Sequence, residues 1–88
     1  MHFYYTYVLL SLKDQKFYIG FSTDLVGRVK DHQRGHNTST AERLPLVLIF
    51  YEAFLSKHDA LRREQYFKTN KGKTTLKQML RDYLAIRK

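Results

Sequence analysis

Apolar side chains follow two rhythms along this chain, alternation in some segments and the helical period in others. Residues 3–10, FYYTYVLL, are apolar or aromatic on both faces of a pleated ribbon: Tyr5, Tyr7 and Leu9 on one, Tyr4, Thr6, Val8 and Leu10 on the other. Such a run predicts a strand inside a sheet covered on each side. The polar residues 11–16, SLKDQK, lead to Phe17, Tyr18 and Ile19, which predicts an antiparallel hairpin whose second strand ends at a turn on Gly20. Ser22, Thr23 and Asp24 are good N-caps, and Leu25, Val26 and Val29 recur at helical spacing behind them, predicting a helix over about 24–34 stopped by Gly35. Gly27 inside it costs roughly 1 kcal/mol against alanine, which predicts close backbone packing there. Residues 36–44, HNTSTAERL, are a polar loop able to hydrogen-bond phosphate oxygens.

The most apolar run, 46–54 (LVLIFYEAF), follows Pro45 and predicts a third strand, suited to the centre of the sheet. Ser56 with Asp59 three residues on resembles a capping box, and Ala60, Leu61 and Phe67 give the helix over about 57–69 its inward face. Asn70-Lys71-Gly72 interrupts it, and Leu76, Met79, Leu80, Tyr83 and Leu84 predict a third amphipathic helix running to the end of the chain. The order ββαβαα predicts an α+β fold, a small three-stranded antiparallel sheet flanked by three helices, as one domain over residues 1–88.

Composition narrows the function. With no cysteine, neither disulfides nor a thiolate zinc site can staple the fold, and seven Tyr and six Phe must fill the core. No apolar run approaches a bilayer's thickness and no basic-then-apolar leader opens the chain, so a cytoplasmic protein without membrane contact is expected. Sixteen Lys plus Arg against eight Asp plus Glu give a net charge of +8, which favours a polyanionic partner. Lys30 and Arg34 on the first helix, and Lys68, Lys71 and Lys73 in the basic C-terminal third, are the candidate contacts to DNA phosphates.

Arg28 and His32 lie four apart and share a helical stripe near the end of the second strand, so a cation and a titratable base face one point, as a phosphate site requires. Glu64 sits at the edge of a helix face that should be buried, where an acid needs a partner: Arg62, Arg63, Lys68 or Arg28 in an ion pair, or a hard divalent cation completed by water and phosphate oxygens. The phenols of Tyr7 and Tyr18 become useful bases only beside such cations, and whether they share a side depends on the hairpin register. Gly72-Lys73-Thr74 is not a phosphate loop, since Phe67 stands in place of the earlier glycine and a helix precedes it.

These residues together resemble a GIY-YIG nuclease domain from Tyr5 to about Tyr83. Tyr5-Thr6-Tyr7 stands where that family has GIY, sharing only Tyr7 with it, Tyr18-Ile19-Gly20 is a literal YIG, and ten residues separate the triplets. Arg28 and His32 fall where the family has its arginine and frequent histidine, and Glu64 where it has its metal-binding acid. Where many members carry an asparagine twelve residues further on, this chain has Leu76, with Asn70 nearby. Within the family the chain is most similar to small stand-alone bacterial proteins related to an excinuclease nuclease domain. The resemblance implies metal-dependent hydrolysis of DNA phosphodiesters in repair or processing, without sequence-specific cutting. It implies Tyr7, Tyr18, Arg28, His32 and Glu64 as catalytic residues and one Mg²⁺ or Mn²⁺ on Glu64. Two other readings fit the same sequence: a nucleic-acid-binding module of this fold with weak or lost catalysis, and a domain whose cations meet an acidic protein.

Overall fold

In the computed structural model, which describes residues 2–87, strand β1 (Tyr4–Ser11) is buried from Thr6 to Ser11 and has a neighbour along each edge. β2 (Phe17–Ser22) and β3 (Leu46–Phe54) pair with it antiparallel, in the order β2-β1-β3. Alternation along β1 feeds two cores. Tyr7 and Leu9 pack with Val29 and Leu46 under helix α1 (Leu25–Gln33). On the other face, Val8 joins Ile19, Phe67 and Leu76 beneath α2 (Lys57–Lys68) and α3 (Asn70–Met79). Each such side chain contributes about 1.5–3 kcal/mol through burial.

The 46–54 strand has the expected bounds but not the expected place, for it is an edge strand, half-buried along most of its length with Tyr51 exposed. Apolar content reports how many faces of a strand are covered; it says nothing of how many edges are paired.

Gly20 does not end β2 either. It lies inside the strand opposite Tyr7, and a Cβ there would run into the Tyr7 ring. The glycine provides room for an aromatic ring, where the sequence predicts a turn.

Helix α1 begins as its sequence directs: Asp24 caps it by accepting from the Gly27 N–H at 3.1 Å. A Cβ at position 27 would strike that carboxylate, so the close approach at Gly27 is to the helix's own cap. Gly35, at φ +77°, supplies the left-handed residue that follows the helix.

Ser56 occupies the N-cap position of α2, yet its hydroxyl makes no capping bond and Asp59 pairs with Arg62 at 3.0 Å, so the capping box does not form. Tertiary contacts hold the helix instead. Thr6 Oγ1 donates to the Ala60 carbonyl at 2.6 Å, and Arg63 grips both carboxylate oxygens of Glu52 at 2.8 and 3.2 Å while lying 4.3 Å from the centre of the Phe67 ring.

The break expected at 70–72 is a junction. Thr69 ends α2, and its hydroxyl caps α3 by accepting from Gly72 N–H at 2.9 Å. The last expected helix is two, because Leu80 leaves helical geometry between α3 and α4 (Arg81–Ile86). Leu80 packs on the second core cluster, whereas Met79, expected on the inward face, is exposed. Among the described residues no helix is long and apolar enough to cross a membrane.

Candidate active site

The hairpin register decides where the two phenols go. Tyr7 faces Gly20 and Leu9 faces Tyr18 across the β1–β2 ladder, so Tyr7 and Tyr18 lie on one face of the sheet. Helix α1 crosses that face and sets His32 against both, with ring centroids 5.9 Å from Tyr7 and 5.0 Å from Tyr18. His32 Nε2 is 3.0 Å from Tyr7 Oη, and His32 Nδ1 is 2.7 Å from Thr40 Oγ1. Tyr7 is 1% exposed and His32 and Thr40 are 0% exposed, so water does not compete for these bonds.

The chain at 36–44 returns Thr40 to α1, just ahead of a 3₁₀ turn at Ala41–Arg43. Thr40 is the residue that sequence reasoning missed. One hydroxyl in a loop of hydroxyls carries no mark of a buried partner.

Burial above all, then the neighbouring Tyr18 and, more weakly, the negative charge of Glu64 push Tyr7 up to about 12. Arg28, one turn before His32 and exposed at the surface of α1, opposes them, since its guanidinium favours the anionic phenol. Burial and the Arg28 charge hold His32 below its usual 6.5, against a smaller opposing pull from Asp31. Near neutral pH the pair is therefore a phenol and a neutral imidazole.

Glu64 is sheltered, with 13% of its side chain exposed, and its ion pair is with Lys68, one helical turn on, at 3.2 Å. Lys68, expected as a DNA contact, is thus engaged by the carboxylate. Among the described residues no group of three or more His, Cys, Asp or Glu stands together. A cation would rest on the Glu64 oxygens alone, completed by water and phosphate oxygens, a donor set that suits a hard ion such as Mg²⁺ or Mn²⁺.

The remaining expected phosphate contacts divide between elements: Lys30 and Arg34 are exposed at α1, and Lys71 and Lys73 on α3. Lys73 also lines a cavity of about 290 Å³ with Lys77, Lys16, Arg43, Gln15 and Phe17. Arg43 is held there by Asp14 at 3.3 Å and by the Phe17 carbonyl at 3.2 Å, whereas Lys16, Lys73 and Lys77 form no ion pair among the described residues. Nothing in the sequence signals that Lys16 and Arg43 would meet Lys73, because the three come from a hairpin, a 3₁₀ turn and a distant helix.

Comparison with known proteins matches residues 3–78 to the model of the GIY-YIG catalytic domain. A UPF0213 protein of Lacticaseibacillus paracasei is 48% identical over 66 residues, covering 74% of this chain and 73% of that one. The UPF0213 protein YazA of Bacillus subtilis is 41% identical over 68 residues, 76% of this chain and 66% of its own. Among solved structures, the solution structure of the UPF0213 protein BH0048 from Bacillus halodurans superimposes with a TM-score of 0.56 at 34% identity, covering 88% of this chain and 84% of that one.

Proposed function

The chain belongs to the GIY-YIG catalytic-domain family, a family of nucleases, and from that premise we propose that it is a divalent-metal-dependent endonuclease. In this reading it hydrolyses DNA phosphodiester bonds in repair or processing in the cytoplasm, directed by the shape of its substrate or acting without sequence preference. The observation that carries the reading is a convergence on one buried hydroxyl. Tyr7 Oη is bonded to His32, and Tyr18, Arg28 and Glu64 all bear on its ionisation.

In this mechanism a water molecule adds to phosphorus, the bond to the 3′ oxygen breaks, and the proton released by the water is returned to that departing oxygen. When bound at Glu64, Mg²⁺ or Mn²⁺ would supply Lewis-acid polarisation of the phosphate. Arg28 neutralises the charge that grows on the phosphoryl oxygens, from an exposed position that a substrate can reach. Tyr7 and Tyr18 orient the attacking water, Tyr7 foremost because its oxygen is fixed by His32. His32 keeps Tyr7 in place, with both of its ring nitrogens taken up by Tyr7 and Thr40. Lys30, Arg34, Lys71 and the lysines of the 290 Å³ cavity bind flanking phosphates.

Glu64→Gln is expected to abolish metal-dependent nicking of supercoiled plasmid while leaving DNA affinity within about twofold, since it removes one sheltered carboxylate and none of the cations that meet phosphates. A Glu64→Gln protein that nicks as fast as the parent at saturating Mg²⁺ would remove the metal assignment. A second reading, a binding module without catalysis, is favoured by Leu76, which lies fully buried in the core where many members place an asparagine, while Asn70 sits exposed at the start of α3. Plasmid nicking by the parent protein with Mn²⁺ separates the two readings.

A further inference from the structure

Thr40 has no part in the mechanism above, yet its side chain is as deeply buried as any in the protein. Its hydroxyl must place one hydrogen, and the only hydrogen bond that the hydroxyl makes among the described residues is to His32 Nδ1, at 2.7 Å. Two arrangements satisfy that distance. If Nδ1 carried the imidazole hydrogen and donated to Thr40, the threonine hydrogen would be left without an acceptor in a site that water does not reach, a costly state for a buried donor. If Thr40 donates, Nδ1 accepts and the imidazole hydrogen lies on Nε2. The hydrogen left over is then that of Tyr7, whose oxygen also meets the charges of Arg28 and Glu64 where a ligand would arrive, whereas Thr40 Oγ1 has no second partner among the described residues.

We infer that Thr40 is a positioning residue: by donating its hydroxyl hydrogen to His32 Nδ1 it holds the imidazole in the Nε2–H tautomer, so that His32 donates to Tyr7 Oη and the Tyr7 hydrogen is turned outward into the site. The direction of the chain of bonds is then Thr40 to His32 to Tyr7 to ligand. With Nε2 already protonated, His32 is not the group that takes the Tyr7 proton. Tyr7 instead offers its hydroxyl hydrogen to an oxygen of the bound phosphate or of the water beside it. The assignment of the tautomer rests on geometry alone, and its bearing on cleavage rests on the nuclease reading. A histidine whose second nitrogen is fixed by a neighbour generally owes its tautomer to that neighbour.

The test is nitrogen NMR of the imidazole in the intact protein at neutral pH. The expected spectrum has a protonated Nε2 and an unprotonated Nδ1 at His32; a protonated Nδ1 overturns the inference. Thr40→Val keeps the shape and removes the donor, and it should let the Nδ1–H tautomer gain population. It should also lower kcat for plasmid nicking roughly tenfold or more with KM unchanged, while Thr40→Ser restores both. A residue that merely fills space would give the same His32 spectrum in the parent and Thr40→Val, and that result also overturns the inference. Should Thr40→Val fail to fold, the spectrum of the parent alone decides. If the parent shows the Nε2–H tautomer but never nicks DNA under any metal, the nuclease reading falls and the Thr40 assignment stands.

Discussion

Neither ring nitrogen of His32 meets water, since one faces Tyr7 and the other Thr40, and this makes the residue a reporter of folding as well as a part of the site. Its affinity for a proton is lowered in the folded protein, first by burial and then by Arg28. Above about pH 6.5 the imidazole is neutral whether the chain is folded or not, and its contribution to stability is complete. As the pH falls below that value the unfolded chain takes up a proton that the folded one refuses, and stability declines until the folded-state pKa is passed. The urea midpoint is therefore expected to fall between pH 7 and pH 5 with little change in m-value; a midpoint that stays level over that range would refute the assignment. The carboxylate of Asp14 does not share this window, because contacts with the Lys16 backbone, Ser11 and Arg43 hold it below 3.8. At the same scale, the sequence displayed Arg28, His32 and Glu64 through spacing on helices, where period fixes direction. It could not display the Tyr7–Tyr18 relation, which one residue of slip would reverse. Nor could it display Thr40, whose importance comes from a loop closing on a helix.

Among the elements, the joint between α2 and α3 depends on one exposed side chain. Thr69 Oγ1 donates to the Tyr66 carbonyl at 2.6 Å and accepts from the Gly72 N–H at 2.9 Å, so it finishes one helix and starts the next. Gly72 is buried against the Tyr66 carbonyl, where a Cβ would collide, which keeps the joint tight. Thr69→Ala creates no cavity, and it is expected to cost about 1 kcal/mol, within the usual range for a lost cap. Urea unfolding should show the loss as a lower midpoint at constant m-value. An unchanged midpoint would mean that packing of Phe67 and Leu76 sets this joint without help from the hydroxyl. The reading of 70–72 as a break and the structure's junction share one cause, a polar residue at the boundary followed by a small one. What the pattern could not resolve was whether the chain paused or turned directly into a new helix. The same holds for Leu80, whose apolar character belongs to the core in either geometry, and for β3, whose length was legible and whose edge position was not.

For the molecule as a whole, the excess of positive charge is spread over several elements. Exposed Lys30 lies on α1 and Arg34 at its C-terminal cap, while Lys16, Lys73 and Lys77 line a cavity between the hairpin and α3, and Lys68 is paired with Glu64. Phe17, which lines that cavity, and Tyr18, which packs under α1, have side chains on opposite faces of β2, so the two sets of cations belong to different sides of the sheet. With roughly six phosphates neutralised, the logarithm of the binding constant should fall against the logarithm of salt concentration with a slope of about −5. A flat dependence would remove nucleic acid as the partner. Net charge was readable from composition at once, whereas the distribution that gives it a direction required the fold.

The seat of Tyr7 over Gly20 bears on assembly as much as on chemistry. A slip of β2 by two residues would keep every side chain on its proper face and so escape the usual hydrophobic penalty, but it would bring Tyr18 or Ser22 to the place where only a hydrogen fits. The aromatic ring thus proofreads the hairpin, and a misthreaded ribbon is rejected by the very residue that the finished site needs at its centre.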